Sequence, residues 1–185
     1  MDKLFVYIDG TARGEPGEAA VGIAITRPDG TVVEEISRLI GRTTTEVAEY
    51  RALGEACRHV IPHEPSSVVF FTHNQRLANY INGVFETREP HIKHQIEIAL
   101  GLLNQLPRWR LNHVDQKVNM RAPRLVEQAF HQSLQAQATR ERMELVLLAR
   151  VATLSDDAMQ RLLDYADRLR EEESVSYTHL TLPTN

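Results

Sequence analysis

An α/β domain with a sheet of mixed strand directions, followed by a helical C-terminal extension, is the fold class this sequence predicts. Three observations carry that reading. Three β-type runs joined by short loops fill residues 1–40. Helical and extended segments then alternate to about residue 130, and two amphipathic stripes of helical period follow without another strand. The order βββαβ(αα)βα needs an antiparallel meander joined to strands reached by helical crossovers, which mixes strand directions in one sheet.

Each element has its own signal. Leu4–Ile8 is an apolar strand; Val21–Thr26 and Thr31–Leu39 are two more, joined by the turn Pro28-Asp29-Gly30. Thr45–Val60 has helical spacing, with Val47, Leu53, Ala56 and Val60 on or near one face, and Pro62 and Pro65 end it. Val68–Phe71 is a short continuous apolar run, predicted as a strand buried on both faces. Asn74–Ile81 predicts a short helix and Pro90–Leu106 a longer one with Pro near its start. Trp109–Val114 predicts the last strand, and a helix starts near Arg121. Gln128–Thr153 continues that helix, with Phe130, Leu134, Leu145, Leu148 and Val151 among its apolar positions. Ser155 then reads as the N-cap of a second helix reaching about Glu172, its first turn carrying Asp156 and Asp157. Domain boundaries of 1–130 and 131–173 follow. The extension, a helical hairpin, packs on the domain or on itself, or serves as a dimerisation or partner-docking element.

Composition narrows the function classes. Of the 185 residues, 42% are hydrophobic and 25% charged, ordinary values for a globular protein. A lone cysteine, Cys57, excludes an internal disulfide and fits a reducing compartment; its place in a helical pattern predicts a small buried hydrophobe. The chain enters a strand directly, so no signal peptide is expected, and no apolar run reaches the roughly 20 residues that span a bilayer. A cytoplasmic location, away from membranes, is the expectation. The net charge is −4, with 15 Lys/Arg against 16 Asp/Glu in residues 1–130 and 6 against 9 in residues 131–185. Neither part carries the broad basic footprint of many nucleic-acid binders, so nucleic acid would need a local patch.

Chemistry concentrates where Leu4–Ile8 ends. Asp9 follows the apolar run directly, and Gly10, Gly14, Pro16 and Gly17 break the chain after it. A carboxylate at the edge of a buried strand is costly unless a metal ion or hydrogen-bond donors face it. Glu49 lies inside Thr44-Thr-Glu-Val-Ala-Glu-Tyr-Arg-Ala-Leu53, on the first helix. With the Asp9-Gly10 loop, these residues make the sequence resemble the type 1 ribonuclease H family, whose patterns run D-G-x-x-x-G-N-P-G and T-N-N-x-A-E-Y-x-A-L. The resemblance spans residues 3 to about 130 and implies the ribonuclease H-like fold, with a five-stranded sheet whose first three strands form the meander. The activity it implies is hydrolysis of the RNA strand of an RNA–DNA hybrid by two divalent cations, Mg²⁺ or Mn²⁺, held by four carboxylates.

Residue by residue, Asp9 and Glu49 match the first two acids. The family's third acid sits in [S/T]-D-S-Q, where this sequence has Thr72-His73-Asn74-Gln75. The fourth sits in H-V-x-x-x-x-N-x-x-A-D-x-L. Here His113, Val114, Asn119, Ala122 and Leu125 match, and Pro123 stands where the acid belongs. The implied site is therefore Asp9 and Glu49 as metal ligands, with His73 and Pro123 at the positions of lost acids and a weak metal site expected. His73 could ligate Mn²⁺ or Zn²⁺, whereas imidazole is a poor Mg²⁺ ligand. Glu127, one helical turn after Pro123, and Asp115 are the candidate substitutes for the missing acid. For the nucleic acid, the resemblance implies Gly14, Thr44, Thr45 and Gln75 along the substrate groove. Glu15, Thr45 and Glu46 replace family asparagines there, and two carboxylates should repel phosphate. Arg13, Arg42 and Arg76 could supply phosphate contacts. His91 and His94 form a helical i, i+3 pair without further ligands nearby, read as surface residues; His59 and His63 flank Pro62.

Three functions remain open at this point. One is a catalytically impaired ribonuclease H-like protein that binds RNA–DNA hybrid or a protein partner. Another is an active metal-dependent hybrid ribonuclease with substituted ligands. The last is a protein-interaction or self-association module working through residues 131–173. The closing stretch Val175-Ser-Tyr-Thr-His-Leu-Thr-Leu-Pro-Thr-Asn185 matches nothing before it and looks like translated sequencing-adaptor read-through. Residues 174–185 are set aside as a non-native tail.

Overall fold

The computed structural model describes residues 3–178. Its elements are β1 (Lys3–Gly14), β2 (Gly17–Thr26), β3 (Val32–Thr43), α1 (Thr45–Val60), β4 (Ser67–Thr72), α2 (Gln75–Ile81), α3 (Pro90–Leu103), β5 (Trp109–His113), α4 (Arg121–Val151) and α5 (Asp156–Thr178). The strands form one sheet in the order β3-β2-β1-β4-β5. β1 pairs antiparallel with β2, and β2 with β3, while β4 runs parallel to β1 and β5 parallel to β4. The mixed directions follow from connection length: tight loops join the meander, and α1 and α2–α3 carry the chain back for each parallel strand.

The main core lies between one sheet face and the helices α1, α2 and α3. Leu4, Val6 and Ile8 of β1, Val68 and Phe70 of β4, and Leu53, Ala56, Val60 and Leu103 from the helices are buried together there. Thr44 sets where α1 begins, its hydroxyl accepting the Val47 amide at 3.3 Å. On the opposite face a smaller cluster joins Ala20 of β2 to Val126, Ala129 and Phe130 of α4. Two glycines allow the closest approaches. A Cβ at Gly10 would lie 2.3 Å from the Ala48 carbonyl oxygen of α1, and one at Gly22 would lie 2.1 Å from that of Ala122 in α4. Only a hydrogen fits at either position.

The first three strands extend further than the apolar runs suggest, because their ends continue as a hydrogen-bonded ribbon through Thr11–Gly14, Gly17–Ala20 and Ile40–Thr43. β4 departs from the expectation of burial on both faces. Val68, Phe70 and Thr72 are buried, but Val69 and Phe71 stay part-exposed. The reason is the course of α4, whose apolar contacts fall on the β2 side of that face.

The chain divides into two compact units between Gln135 and Ala136, inside α4. The second consists of the remainder of α4, a turn closed by Leu154 N–H to the Val151 carbonyl, and α5. The Ser155 hydroxyl accepts the Ala158 amide at 3.4 Å, at the start of α5. Met143, Leu145, Leu147 and Leu148 are exposed on α4, as are Leu163, Tyr165 and Leu169 on α5. α5 passes its expected end near Glu172, and the rest of the predicted tail, residues 179–185, lies outside the described residues. No helix among the described residues is long and apolar enough to cross a membrane.

Candidate metal centre

Strand alternation gives Asp9 its direction: it lies on the same face of β1 as Phe5 and Tyr7, opposite Gly22 of β2. The close approach of α1 at Gly10 brings Glu49 to the same end of the sheet. Both carboxylates are buried, Asp9 at 6% and Glu49 at 3% exposure. His73 follows β4 directly, and its Nδ1 stands 3.8 Å from Asp9 Oδ1, too far for a hydrogen bond. One ligand atom from each of Asp9, Glu49 and His73 can be chosen so that all lie within 4.8 Å of one another.

The electrostatics of this cluster are unbalanced. Burial pushes the Asp9 carboxyl above its ordinary value; the His73 ring and the Gly10 amide pull it back, and the charge of Glu127 adds to the rise. Glu49 is pushed well above the usual carboxylate range, first by burial and then by the charge of Asp9, against one hydrogen bond from the Asn74 side chain. Glu49 Oε2 and His73 Nδ1 are buried without a hydrogen-bond partner. Two carboxylate groups and a ring nitrogen with orphaned lone pairs fit a divalent cation, which would supply the positive charge this pocket lacks. The imidazole favours Mn²⁺ or a softer ion over Mg²⁺.

The α4 side of the cluster is built just as firmly but offers no ligand. The Ser37 hydroxyl donates to the Leu125 carbonyl at 2.6 Å, and the Asn119 amide donates to the Ile8 carbonyl at 2.8 Å. With the Gly22 contact, these bonds fix the start of α4 against β1, β2 and β3. Pro123 occupies that turn, where its ring is tolerated and no donor atom is available. Of the candidate substitutes, Glu127 Oε2 is held by Arg13 Nη2 at 3.1 Å, and Asp115 Oδ1 accepts the Lys117 amide at 2.8 Å. Neither carboxylate belongs to the metal-capable cluster.

The groove residues gather around the N-terminus of α1. Gly14 has φ of +117° at the β1–β2 turn. Thr44 caps α1, and the Thr45 hydroxyl accepts the Ala12 amide at 3.2 Å. Gln75 starts α2, its amide donating to Asn79 Oδ1. Glu15 accepts the Thr45 amide through both oxygens at 3.1 Å, and Glu46 pairs with Arg76 at 3.2 Å. Each carboxylate expected to repel phosphate is thus partly neutralised by a local donor. Arg42 donates to the Pro16 carbonyl. His59 and His63 both approach Glu34, and His91 pairs with Glu89; none of these histidines enters a metal-capable cluster.

Two residues that the sequence gives no role at the site support it. Asn74 reaches Glu49, and Asn119 ties the loop before α4 to the end of β1, its Oδ1 buried without a partner. Asn119 had a signal, its place in the H-V-x-x-x-x-N pattern. Asn74 had none beyond its capping position before α2.

The family described as reverse transcriptase-like matches residues 7–129. The ribonuclease HI of Halobacterium salinarum is 32% identical over 128 residues, covering 69% of this chain and 64% of that protein. The bifunctional protein Rv2228c of Mycobacterium tuberculosis is 27% identical over 137 residues, 74% of this chain but 38% of its own length. The chain thus spans less than two thirds of these relatives. Among solved structures, ribonuclease H1 of Halobacterium salinarum superposes with a TM-score of 0.68 at 31% identity, covering 70% of this chain and 98% of that one. A metagenomic ribonuclease, LC11-RNase H1, in complex with an RNA/DNA hybrid gives 0.67 at 30% identity, covering 71% and 99%.

Proposed function

The chain belongs to the reverse transcriptase-like family of type 1 ribonuclease H-like domains, and we propose that it is a catalytically impaired member that binds RNA–DNA hybrid and holds one divalent cation. Asp9 and Glu49 are the ligands, with His73 the third donor, so Mn²⁺ binds better than Mg²⁺. A cation bound there would polarise a phosphate oxygen of the substrate. The remaining work falls to the chain. Asn74 orients Glu49, Asn119 holds the end of β1, and Arg42 and Arg76 near the α1 groove, with Arg13 on the α4 side, serve as phosphate contacts. The free, buried Cys57 supports a reducing, cytoplasmic setting.

One observation supports the impairment. Pro123 sits in the first turn of an α4 whose start is held by the Gly22, Ser37 and Asn119 contacts, so the position that the family pattern gives to the fourth acid offers no ligand atom. Hydrolysis by the two-metal route clamps both the attacking and the leaving oxygen, and this arrangement provides ligands for one side only. Support for hybrid binding comes from the relative whose structure holds an RNA/DNA hybrid.

A second reading, a protein-interaction module, is favoured by the exposed apolar side chains of Leu145, Leu147, Leu148 and Leu163. The deciding experiment compares wild type with a His73→Asp/Pro123→Asp variant on a labelled hybrid, in Mg²⁺ and in Mn²⁺. The expected result is salt-dependent binding by both proteins and cleavage by the variant alone. Cleavage by wild type that Asp9→Asn abolishes would make it an active ribonuclease with substituted ligands. Absence of binding by either protein would shift the function to the second unit.

A further inference from the structure

The sheet face that carries Asp9 continues away from it as a column of part-exposed side chains that the metal centre does not use. Alternation sets Lys3, Phe5 and Tyr7 on that face of β1. The parallel register places Ser67, Val69 and Phe71 of β4 beside them, and Arg110 and Asn112 of β5 beside Val69 and Phe71. The rings touch. Tyr7 and Phe71 stack with centroids 4.9 Å apart, Phe5 meets Phe71 edge-on at 5.5 Å, and Lys3 Nζ lies 5.1 Å from the Phe5 centroid. A groove of about 740 Å³ opens here, lined by Lys3, Phe5, Phe71, Arg108, Arg110 and Asn112 among others, and no carboxylate lines it. Three cations therefore line one groove with Phe5 and Phe71, in a chain whose net charge is −4.

We propose that this groove binds a single-stranded segment of nucleic acid, its bases stacked on Phe5 and Phe71 and its phosphates against Lys3, Arg108 and Arg110. The rings select the strand state, because an unpaired base can leave its neighbours to stack on a side chain and a base inside a duplex cannot. The cations select the polymer: a lining with positive charge and no acid complements a polyanion. Arg108 donates to the Ser66 carbonyl, and Arg110 stands exposed on the edge strand; both line the groove with Phe5 and Phe71. Two rings suit about two bases, within the number a sheet platform of this kind accommodates. Asn112, beside Phe71, can donate to or accept from a base edge.

The test is fluorescence anisotropy of a labelled single-stranded oligothymidylate with the full chain in EDTA, so that the metal centre plays no part. Binding should weaken as salt rises. Phe71→Leu should weaken it about tenfold with an unchanged salt slope, as expected for loss of one stacked base. Arg110→Ala should flatten the salt slope by about 0.7, one phosphate contact fewer on a single strand. Arg110 is exposed, so its variant remains informative if Phe71→Leu fails to fold. An RNA–DNA hybrid duplex should not displace the single strand. The proposal is overturned if the oligonucleotide does not bind, or if both variants bind like wild type. It is equally overturned if the hybrid fully displaces the oligonucleotide, which would place the single strand in the metal groove. A Phe71-dependent dimer without DNA binding would make the face a self-association surface and overturn it too.

Discussion

The two sides of the candidate metal centre differ, and the contrast separates scaffold from chemistry. On the β1–α1–β4 side, Asp9, Glu49 and His73 converge, their donor atoms buried and partly orphaned. On the α4 side the packing is equally close, with the Gly22 contact and two side-chain hydrogen bonds to backbone carbonyls, yet Pro123 supplies nothing. Backbone placement on the α4 side therefore rests on contacts that involve no carboxylate at position 123. A glycine contact, a serine hydroxyl and a buried amide hold the frame.

The largest effect should come from breaking the frame rather than the chemistry. Gly10→Ala puts a methyl group 2.3 Å from a backbone oxygen of α1, which cannot retreat without lifting the helix from the sheet. We expect a loss of about 3 kcal/mol in urea unfolding, together with loss of any metal response. An unchanged midpoint would show that α1 is not seated as closely as the frame requires.

The ligand side should respond with the opposite sign. In EDTA, Glu49 carries a pKa raised by burial, so the folded protein keeps a proton that the unfolded chain has released. Stability of the metal-free protein therefore falls as pH climbs from the ordinary value of 4.5 towards the raised folded value, and stays lower above it. Glu49→Gln removes the charge that resists burial. At neutral pH it should stabilise the metal-free protein by about 1–3 kcal/mol, flatten that slope and abolish stabilisation by Mn²⁺. Thermal melts across pH, with and without Mn²⁺, check all three.

Much of this frame could be read from the sequence, and the failures have physical causes. Helix α1 was predicted with the bounds it shows, since Thr44 caps it and Pro62 closes it. Asp9 stood out because a carboxylate ending an apolar strand is expensive without a partner. Glu49 and His73 were reachable only through the family pattern, because contacts across 40 and 64 positions leave no local trace. The half-exposed face of β4 was not legible: Val68-Val-Phe-Phe71 is apolar throughout, and only the path of α4 decides which side is left uncovered. Nor does the sequence show that Glu15 and Glu46, read as repulsive, each meet a local donor.

Restoring the missing acid alone should change stability little and electrostatics much. Pro123→Asp places a carboxylate in the first turn of α4, where the helix dipole favours it by about 0.3–1 kcal/mol. If it reaches Asp9 and Glu49, it also adds negative charge to a cluster already short of compensation. Metal-free stability should therefore stay within about 1 kcal/mol of wild type, while Mn²⁺ affinity rises. Calorimetry would show this as tighter binding or a second equivalent; an unchanged isotherm would mean that α4 stands too far away to contribute a ligand.

The smallest effect is expected at Arg13, and it sharpens the comparison from the α4 side. Arg13 Nη2 holds Glu127 Oε2 at 3.1 Å, but both side chains are largely solvated, at 44% and 60% exposure. Such a pair is worth about 0–1 kcal/mol, so Arg13→Ala should move the urea midpoint hardly at all. The same guanidinium also lies 4.1 Å from the Phe130 ring, which adds a modest packing term. What the substitution does change is the freedom of Glu127, whose charge already reaches Asp9. If the released carboxylate can swing towards the cluster, Arg13→Ala should tighten Mn²⁺ binding even as it weakens hybrid binding by removing a phosphate contact. If Mn²⁺ binding stays at the wild-type level, Glu127 cannot replace the acid lost at Pro123, and the metal centre is confined to the β1–α1–β4 side.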